Sequence, residues 1–430
     1  MTRRRVVSVC VIMAAFAGVS WGQTEAPSMS AADLIQMAIQ RNREFLAVKQ
    51  HIAETQALLR QAGVRPSPTI EVQESTGRPL GTRGEQEFSA GYFHTFETYG
   101  KRGKRIAVAQ KVAEGAEAEV NDRVRLLAFE VSDKYAEAIA EQKKLQAIQQ
   151  LLSVNRDYYR ITEARVQHGD AAPLEGQLFL ADLNRAEAQQ VVFADRSDRA
   201  LFELRKVVGI SAAEPLNIRD EVLPIPKNQT VSQWQEQALR IRPDLTILRL
   251  MEEQAVAEAE LARAEGKPDF TASAQYSRTN SAFDQLGLDS AGKTVPLRDR
   301  DNVLRFGLSV PIFQPKRNQG VIEAAVARSN AARLRREHLE SVIRLEVASA
   351  LLRWESASRV LEILNSGVIG QSQKNMEVVR QAYALGQLRI LDVLNEQKKL
   401  IDTQLSYIDA RAELLHSSAE LERASGGSIQ

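Results

Sequence analysis

Apolar and polar positions along the chain follow two rhythms, and the rhythm changes at fixed landmarks. A helical stretch rich in Ala, Glu, Gln, Leu and Arg runs from about Ala31 to Ala62. At Pro68 the period drops to two, with Ile70 and Val72 alternating with Glu71 and Gln73. Beyond a turn at Gly77 to Gly81, Phe88, Ala90, Tyr92 and Phe96 alternate with Glu87, Ser89 and Thr95. Period two predicts two strands in a hairpin. No proline occurs from Lys101 to Ala172, and Gly169 breaks this run. The break predicts two antiparallel helices, about Lys104 to His168 and Ala171 to Val208, joined at a tip.

The series then repeats, which is the signature of a duplicated unit. Ala38 and Pro68 recur 200 positions on, at Ala238 and Pro268; Phe96, Gly103, Gly169 and Gly209 recur 217 positions on, at Phe313, Gly320, Gly386 and Gly426. The second copy predicts a helix from Ser232 to Glu265. Its strands carry Phe270, Ala272, Ala274 and Tyr276, then Leu304, Phe306, Leu308, Val310 and Ile312; its long helices run from Asn318 to Leu385 and from Leu388 to Ser425. Its 17 extra residues are expected in the second hairpin's loop. At 1.5 Å per residue the first long helix reaches about 98 Å, taller than any globular core. In each copy the two shorter helices sum to about the length of the long one, so they can stack end to end beside it.

The opening residues pair Arg3, Arg4 and Arg5 with an apolar run from Val6 to Val19 and small residues at Ser20 and Gly22. That run is too short for a membrane span and reads as a secretory leader ending before Gln23. Removing the leader takes away three arginines and Cys10, the single cysteine, so neither disulfides nor a thiolate are expected in the mature chain. Cys10 precedes most of the apolar run, which argues against lipidation there. With Lys+Arg 56 against Asp+Glu 55, no nucleic-acid partner is expected.

Four strands cannot close a barrel, since small membrane barrels need about eight. An open edge in lipid would leave backbone groups unpaired. The hairpins must therefore be hidden in a soluble core or shared among copies, and three copies would supply twelve strands above a helical tube.

These residues resemble the TolC-like outer membrane factor family over nearly the whole mature chain. The resemblance rests on the duplication and on Asn42, Arg43 and Glu44 matched by Arg242, Pro243 and Asp244. It rests also on the prolines that start the strands and on the tip Tyr383 to Leu394. The stretch Phe96 to Arg105 resembles more narrowly the CzcC-type heavy-metal branch. The resemblance implies a mainly α fold with a β-hairpin pair per protomer, forming a homotrimer with a 12-stranded β-barrel on an α-helical barrel. It implies a passive channel of the outer membrane, partnered by a periplasmic adaptor (membrane fusion) protein and an inner-membrane pump, with metal ions, small organics or drugs as cargo. Neither catalysis, a cofactor nor a resident metal is expected.

The expected segments are a signal peptide (1–22), an N-terminal periplasmic helix (23–66), transmembrane β-hairpin 1 (67–100) and long helical hairpin 1 (101–209). An equatorial connector (210–229), the helix of the second repeat (230–267), transmembrane β-hairpin 2 (268–314), long helical hairpin 2 (315–426) and a tail (427–430) follow.

The resemblance implies that an acidic ring constricts the pore at the tip. Its position falls on Asp392, six residues after Gly386, and Glu175 stands six after Gly169; the family's second acid is replaced here by Asn395. Carboxylates around one axis repel each other and favour cations, whereas a lone acid in a helix's first turn simply complements the dipole. Tyr383 matches a tyrosine that holds the tip shut, with Arg389 as a second clasp; ordinary helix packing is the alternative for Tyr383. Gly169 and Gly386 are the tip turns. His168 beside Gly169 suits a helix end. Lys101, Arg102, Lys104, Arg105, Lys316 and Arg317 form basic clusters where strand meets helix and suit lipid headgroups, near Tyr92, Phe93 and Tyr99.

The five histidines show no ligand spacing, and no zinc-protease, phosphate-loop or serine-hydrolase pattern occurs. Two other readings stay open: an exit duct for type I protein secretion, and a soluble periplasmic coiled-coil adaptor that buries the strands in small β-domains.

Overall fold

The computed structural model of the chain describes residues 28–80, 85–220, 229–312 and 318–427. The leader, Phe313, Lys316, Arg317 and the tail beyond Gly427 lie outside the described residues. Helix α1 (Ala31–Arg41) and helix α2 (Arg43–Ala62) precede strands β1 (Thr69–Thr76) and β2 (Glu85–Phe96). Helix α3 (Lys101–Gln167) and helix α4 (Pro173–Val208) complete the first copy. The second copy comprises α5 (Val231–Ile241), α6 (Pro243–Glu265), β3 (Phe270–Leu288), β4 (Thr294–Ser309), α7 (Gln319–Ile363), α8 (Ile369–Ala384) and α9 (Ile390–Ser425).

Each expected N-terminal helix is divided in two. At Asn42 the backbone turns to φ −66°, ψ 112°, and the Asn42 side chain caps α2 by accepting from the Phe45 N–H at 3.0 Å. Arg242 occupies the matching kink at φ −63°, ψ 125°, with Pro243 starting α6. The kinks rest on the ends of α4 and α9. Gly209 and Gly426 close those helices in the left-handed region, and a Cβ on Gly209 would lie 2.9 Å from the Asn42 Cα.

Both α2 and α4 pack along α3, and both α6 and α9 pack along α7, so short helices do stack beside long ones. At 1.5 Å per residue α3 is about 100 Å long. The core is spread along this shaft rather than gathered in one place. Equivalent positions of the two copies are buried in it, Ala38 with Ala238, Phe45 with Leu245, and Leu204 with Leu421. The connector starts by docking here. Leu216 is buried, the Met29 N–H donates to the Asn217 carbonyl at 2.8 Å, and the Tyr135 hydroxyl donates to the Arg219 carbonyl.

The second long helix differs from the first at Leu364–Val368, where a π-helical stretch separates α7 from α8. Asn365, Ser366 and Gly367 are weak helix formers, and the wider turn falls on them.

The four strands make one antiparallel sheet in the order β1-β2-β3-β4. Its register sets Ile70 opposite Tyr92, Tyr92 opposite Ala274 and Ala274 opposite Phe306, so one apolar row crosses all four strands. The neighbouring row, Glu71, Gly91, Gln275 and Arg305, stands on the other face and is polar. The apolar face is bare, with Ile70 76% and Phe306 78% exposed. The 17 extra residues correct one expectation. They are paired strand and not loop, lengthening β3 to 19 and β4 to 16 residues against 8 and 12 for β1 and β2. No described helix is long and apolar enough to cross a membrane.

Candidate functional site

Two helical tips lie at the far end of the shaft from the sheet, built alike. Gly169 (φ 80°) and Gly386 (φ 73°) turn the chain, and the N–H of the next residue closes each turn onto a carbonyl, Asp170 onto Arg165 at 2.8 Å and Gln387 onto Ala382 at 2.9 Å. A Cβ on either glycine would meet open space, so the backbone angle alone requires glycine.

Glu175 and Asp392 are both the third residue of their helices, α4 and α9, yet they make different contacts. The exposed Asp392 folds back to accept from the Arg389 backbone N–H at 3.0 Å, capping α9. Glu175 is half-buried and accepts instead from the Tyr383 hydroxyl at 3.1 Å, tying α4 of the first copy to α8 of the second. Burial pushes the Tyr383 phenol above its ordinary value, and the adjacent carboxylate of Glu175 adds to this, so Tyr383 remains a neutral donor at physiological pH. The Arg165 guanidinium stands 5.8 Å from the Tyr383 ring centroid. Arg389 and Asn395 are exposed, as is His168 at the end of α3.

Above the tips lies a polar cluster that sequence reasoning missed. Fully buried Asn155 donates to Asp182 at 2.7 Å and accepts from Gln397 at 2.5 Å, joining α3, α4 and α9. Its signal was present: Gln397 continues the buried stripe of Ile390 and Val393 at helical spacing.

Where strand meets helix, the basic residues are engaged within the chain. Lys101, expected at lipid headgroups, is 7% exposed and binds Asp269 at 2.8 Å and the Lys267 carbonyl at 2.8 Å. Arg105 pairs with Glu97, Lys104 with Glu260 at 3.1 Å, and Arg102 donates to the Gly63 carbonyl at 2.6 Å. Short links from sheet to shaft need these ties to fix the angle between them. Among the described residues no group of three or more His, Cys, Asp or Glu could hold a metal ion.

A sheet with one bare apolar face, set on a helical shaft about 100 Å long, defines the class: a membrane-anchored protein with a long helical extension. Residues 34–210 and 234–427 match the outer membrane efflux protein family, and the chain belongs to it. The alkaline protease secretion protein AprF of Pseudomonas aeruginosa is 24% identical over 70% of this chain, a match spanning 61% of AprF. The pyoverdine export outer membrane protein OpmQ of Pseudomonas putida is 23% identical over 95% of this chain and 88% of its own length. The structure of the outer membrane protein VceC of Vibrio cholerae superposes with a TM-score of 0.72, covering 93% of this chain and 97% of VceC at 19% identity. The sheet therefore lies in the outer membrane and the helices extend into the periplasm.

Proposed function

We propose that three copies of the chain close a 12-stranded barrel on a helical tunnel, and that this duct passively conducts substrates out of the periplasm. The observation that carries the reading is the sheet itself. Its apolar row is continuous from β1 to β4, and both of those strands are edges, each paired with a strand on one side only among the described residues. In hydrocarbon such edges must be paired, and three-fold closure against further copies pairs them.

The tip is the gate. Asp392 and Glu175 bring carboxylates to the narrow end, where a ring of them favours cations, and Tyr383 with Arg389 holds the helices together. Apolar side chains left bare beside the tip turns, Leu174, Leu385 and Leu391, suit the docking of a periplasmic adaptor protein, through which an inner-membrane pump delivers cargo. The cargo is metal ions or small organic compounds. A second reading, an exit duct for secreted protein, is favoured by the similarity to AprF. Arg102 and Lys104 suit contacts with headgroups of the inner leaflet in addition to their internal ties.

Planar-bilayer recording tests the proposal. Purified protein is expected to form cation-preferring channels blocked by divalent ions, with both properties weakened in Asp392→Ala. Unchanged selectivity and block in the variant would remove the acidic ring, and an absence of channels would remove the duct.

A further inference from the structure

The outward face of the sheet changes character at one level. From Phe96 and Phe270 upward its rungs are apolar except for His94, whose ring lies between those of Tyr92 and Phe96, and they end at Tyr276 and Leu304. The Tyr276 hydroxyl then donates to Asn302 Oδ1 at 2.7 Å, as an aromatic at a membrane boundary does. The next rungs on the same face pair Arg278 with Asn302, Asn280 with Arg300 and Ala282 with Arg298. On β4 the sequence Arg298, Asp299, Arg300, Asp301 alternates with the pleat, so the arginines take the lipid face and the aspartates the opposite one.

Arg298 and Arg300 stand about 7 Å apart along one strand, and Arg278 is the diagonal neighbour of Arg300 at about 7–8 Å. All three are exposed, and none is within ion-pair distance of a carboxylate among the side chains the structure describes; Glu74, on the rung of Arg278, lies two strands away. The helices leave the sheet at the opposite end, so these cations face the outer leaflet. At the inner end, by contrast, Lys101, Lys104 and Arg105 are matched by Asp269, Glu260 and Glu97.

We infer that Arg278, Arg298 and Arg300 form a binding site for the phosphate groups of a phosphorylated glycolipid of the outer leaflet, of the lipid A type. Three guanidinium groups beside one another repel unless an anion lies among them, and a guanidinium matches a phosphate with two parallel hydrogen bonds. A phosphomonoester carries more charge than a phospholipid's diester, and the glycolipid sets two of them on one rigid headgroup. Asn280 and Asn302 add amide donors on the same rungs. The inference rests on the sheet being a membrane wall and on neither the gate nor the cargo.

The test places the delipidated full-length protein in phosphatidylcholine nanodiscs and titrates bisphosphorylated lipid A, dephosphorylated lipid A or phosphatidylglycerol, with native mass spectrometry as the readout. Wild-type protein should take up bisphosphorylated lipid A at concentrations at least about tenfold lower than the R278Q/R298Q/R300Q variant, since the variant loses all three charge-assisted donors to the phosphates. The variant should keep the oligomeric mass of the wild type, and R278K/R298K/R300K, which keeps the charge but not the paired hydrogen bonds, should bind between the two. Equal binding by wild type and the glutamine variant would overturn the inference. So would equal binding of the dephosphorylated lipid, or full substitution by phosphatidylglycerol. If the glutamine variant fails to assemble, the wild-type preference between the two lipid A forms decides alone.

Discussion

Asn42 donates its side-chain amide to the carbonyl of Val207 at 2.7 Å, and its counterpart Arg242 donates to the carbonyl of Ala424 at 3.1 Å. The donors lie 200 positions apart and the acceptors 217 apart, so the two copies build one joint from different chemistry. In each, the kink between two short helices is fastened to the end of the helix that returns from the tip. Arg242 does more than Asn42. It is 2% exposed and also binds Asp244 at 2.5 Å and Glu346 at 2.6 Å, while Arg125 stands 3.5 Å from Asp244.

Asn42→Ala should lose a helix cap and one buried tie, about 2 kcal/mol together. Arg242→Ala should cost more, about 3 kcal/mol, because it strips Asp244 and Glu346 of their buried cation. Urea titration in detergent checks the order, and equal losses would contradict it.

Gly209 and Gly169 share a left-handed backbone but not their surroundings. Gly169→Ala should cost about 1 kcal/mol for its backbone angle alone. Gly209→Ala adds contacts of 2.9–3.0 Å with the backbone of Asn42 and Arg41, so it should destabilise clearly more. The comparison of thermal midpoints decides, and indistinguishable variants would show that the joint yields freely.

Tyr383→Phe should release the first-copy tip from the second without disturbing either turn. Channel openings in a bilayer should become more frequent, and Glu175→Gln, which keeps an acceptor, should have a smaller effect. A Tyr383→Phe channel that opens like the wild type would mean that the hydrogen bond is only packing.

His416 offers a pH-dependent contact on the shaft. Its Nδ1 lies 2.5 Å from Asp133, and Lys134, Arg353, Glu413 and Glu420 surround the pair. The hydrogen bond to Asp133 holds the His416 imidazolium above its ordinary value and the Asp133 carboxylate below its own. The raised histidine contributes stability below its unfolded value of about 6.5, lost as pH rises through the folded one; the lowered aspartate contributes above about 3.9, lost as pH falls. The pair is therefore worth most between about pH 4 and 6.5. The gap in melting temperature between wild type and Asp133→Asn should be widest there and should narrow toward alkaline pH. A gap independent of pH would contradict the ion pair.

Much of the fold was legible because glycine and proline punctuate it. Pro68 and Pro268 stand just before β1 and β3, and Gly169 and Gly386 mark the tips. The upper half of β3 and β4 was hidden by its content: Gly287, Pro296 and the arginine and aspartate alternation do not read as a half-buried strand, yet the backbone pairs up to Leu288 and Thr294. Burial of Lys101 could not be read from a basic cluster, since its partner Asp269 is 168 positions away. Tyr383 and Glu175 were each singled out, but their contact joins residues 208 apart in different copies, which no local pattern encodes.

The mass and shape of the mature protein extracted by detergent from outer membranes test the central claim most directly. Light scattering with negative-stain imaging should give a particle of three chains, each of at most 47.8 kDa, elongated along the helical shaft. A protein recovered as a single soluble chain, with its sheet edges unshared, would contradict the barrel and with it the duct.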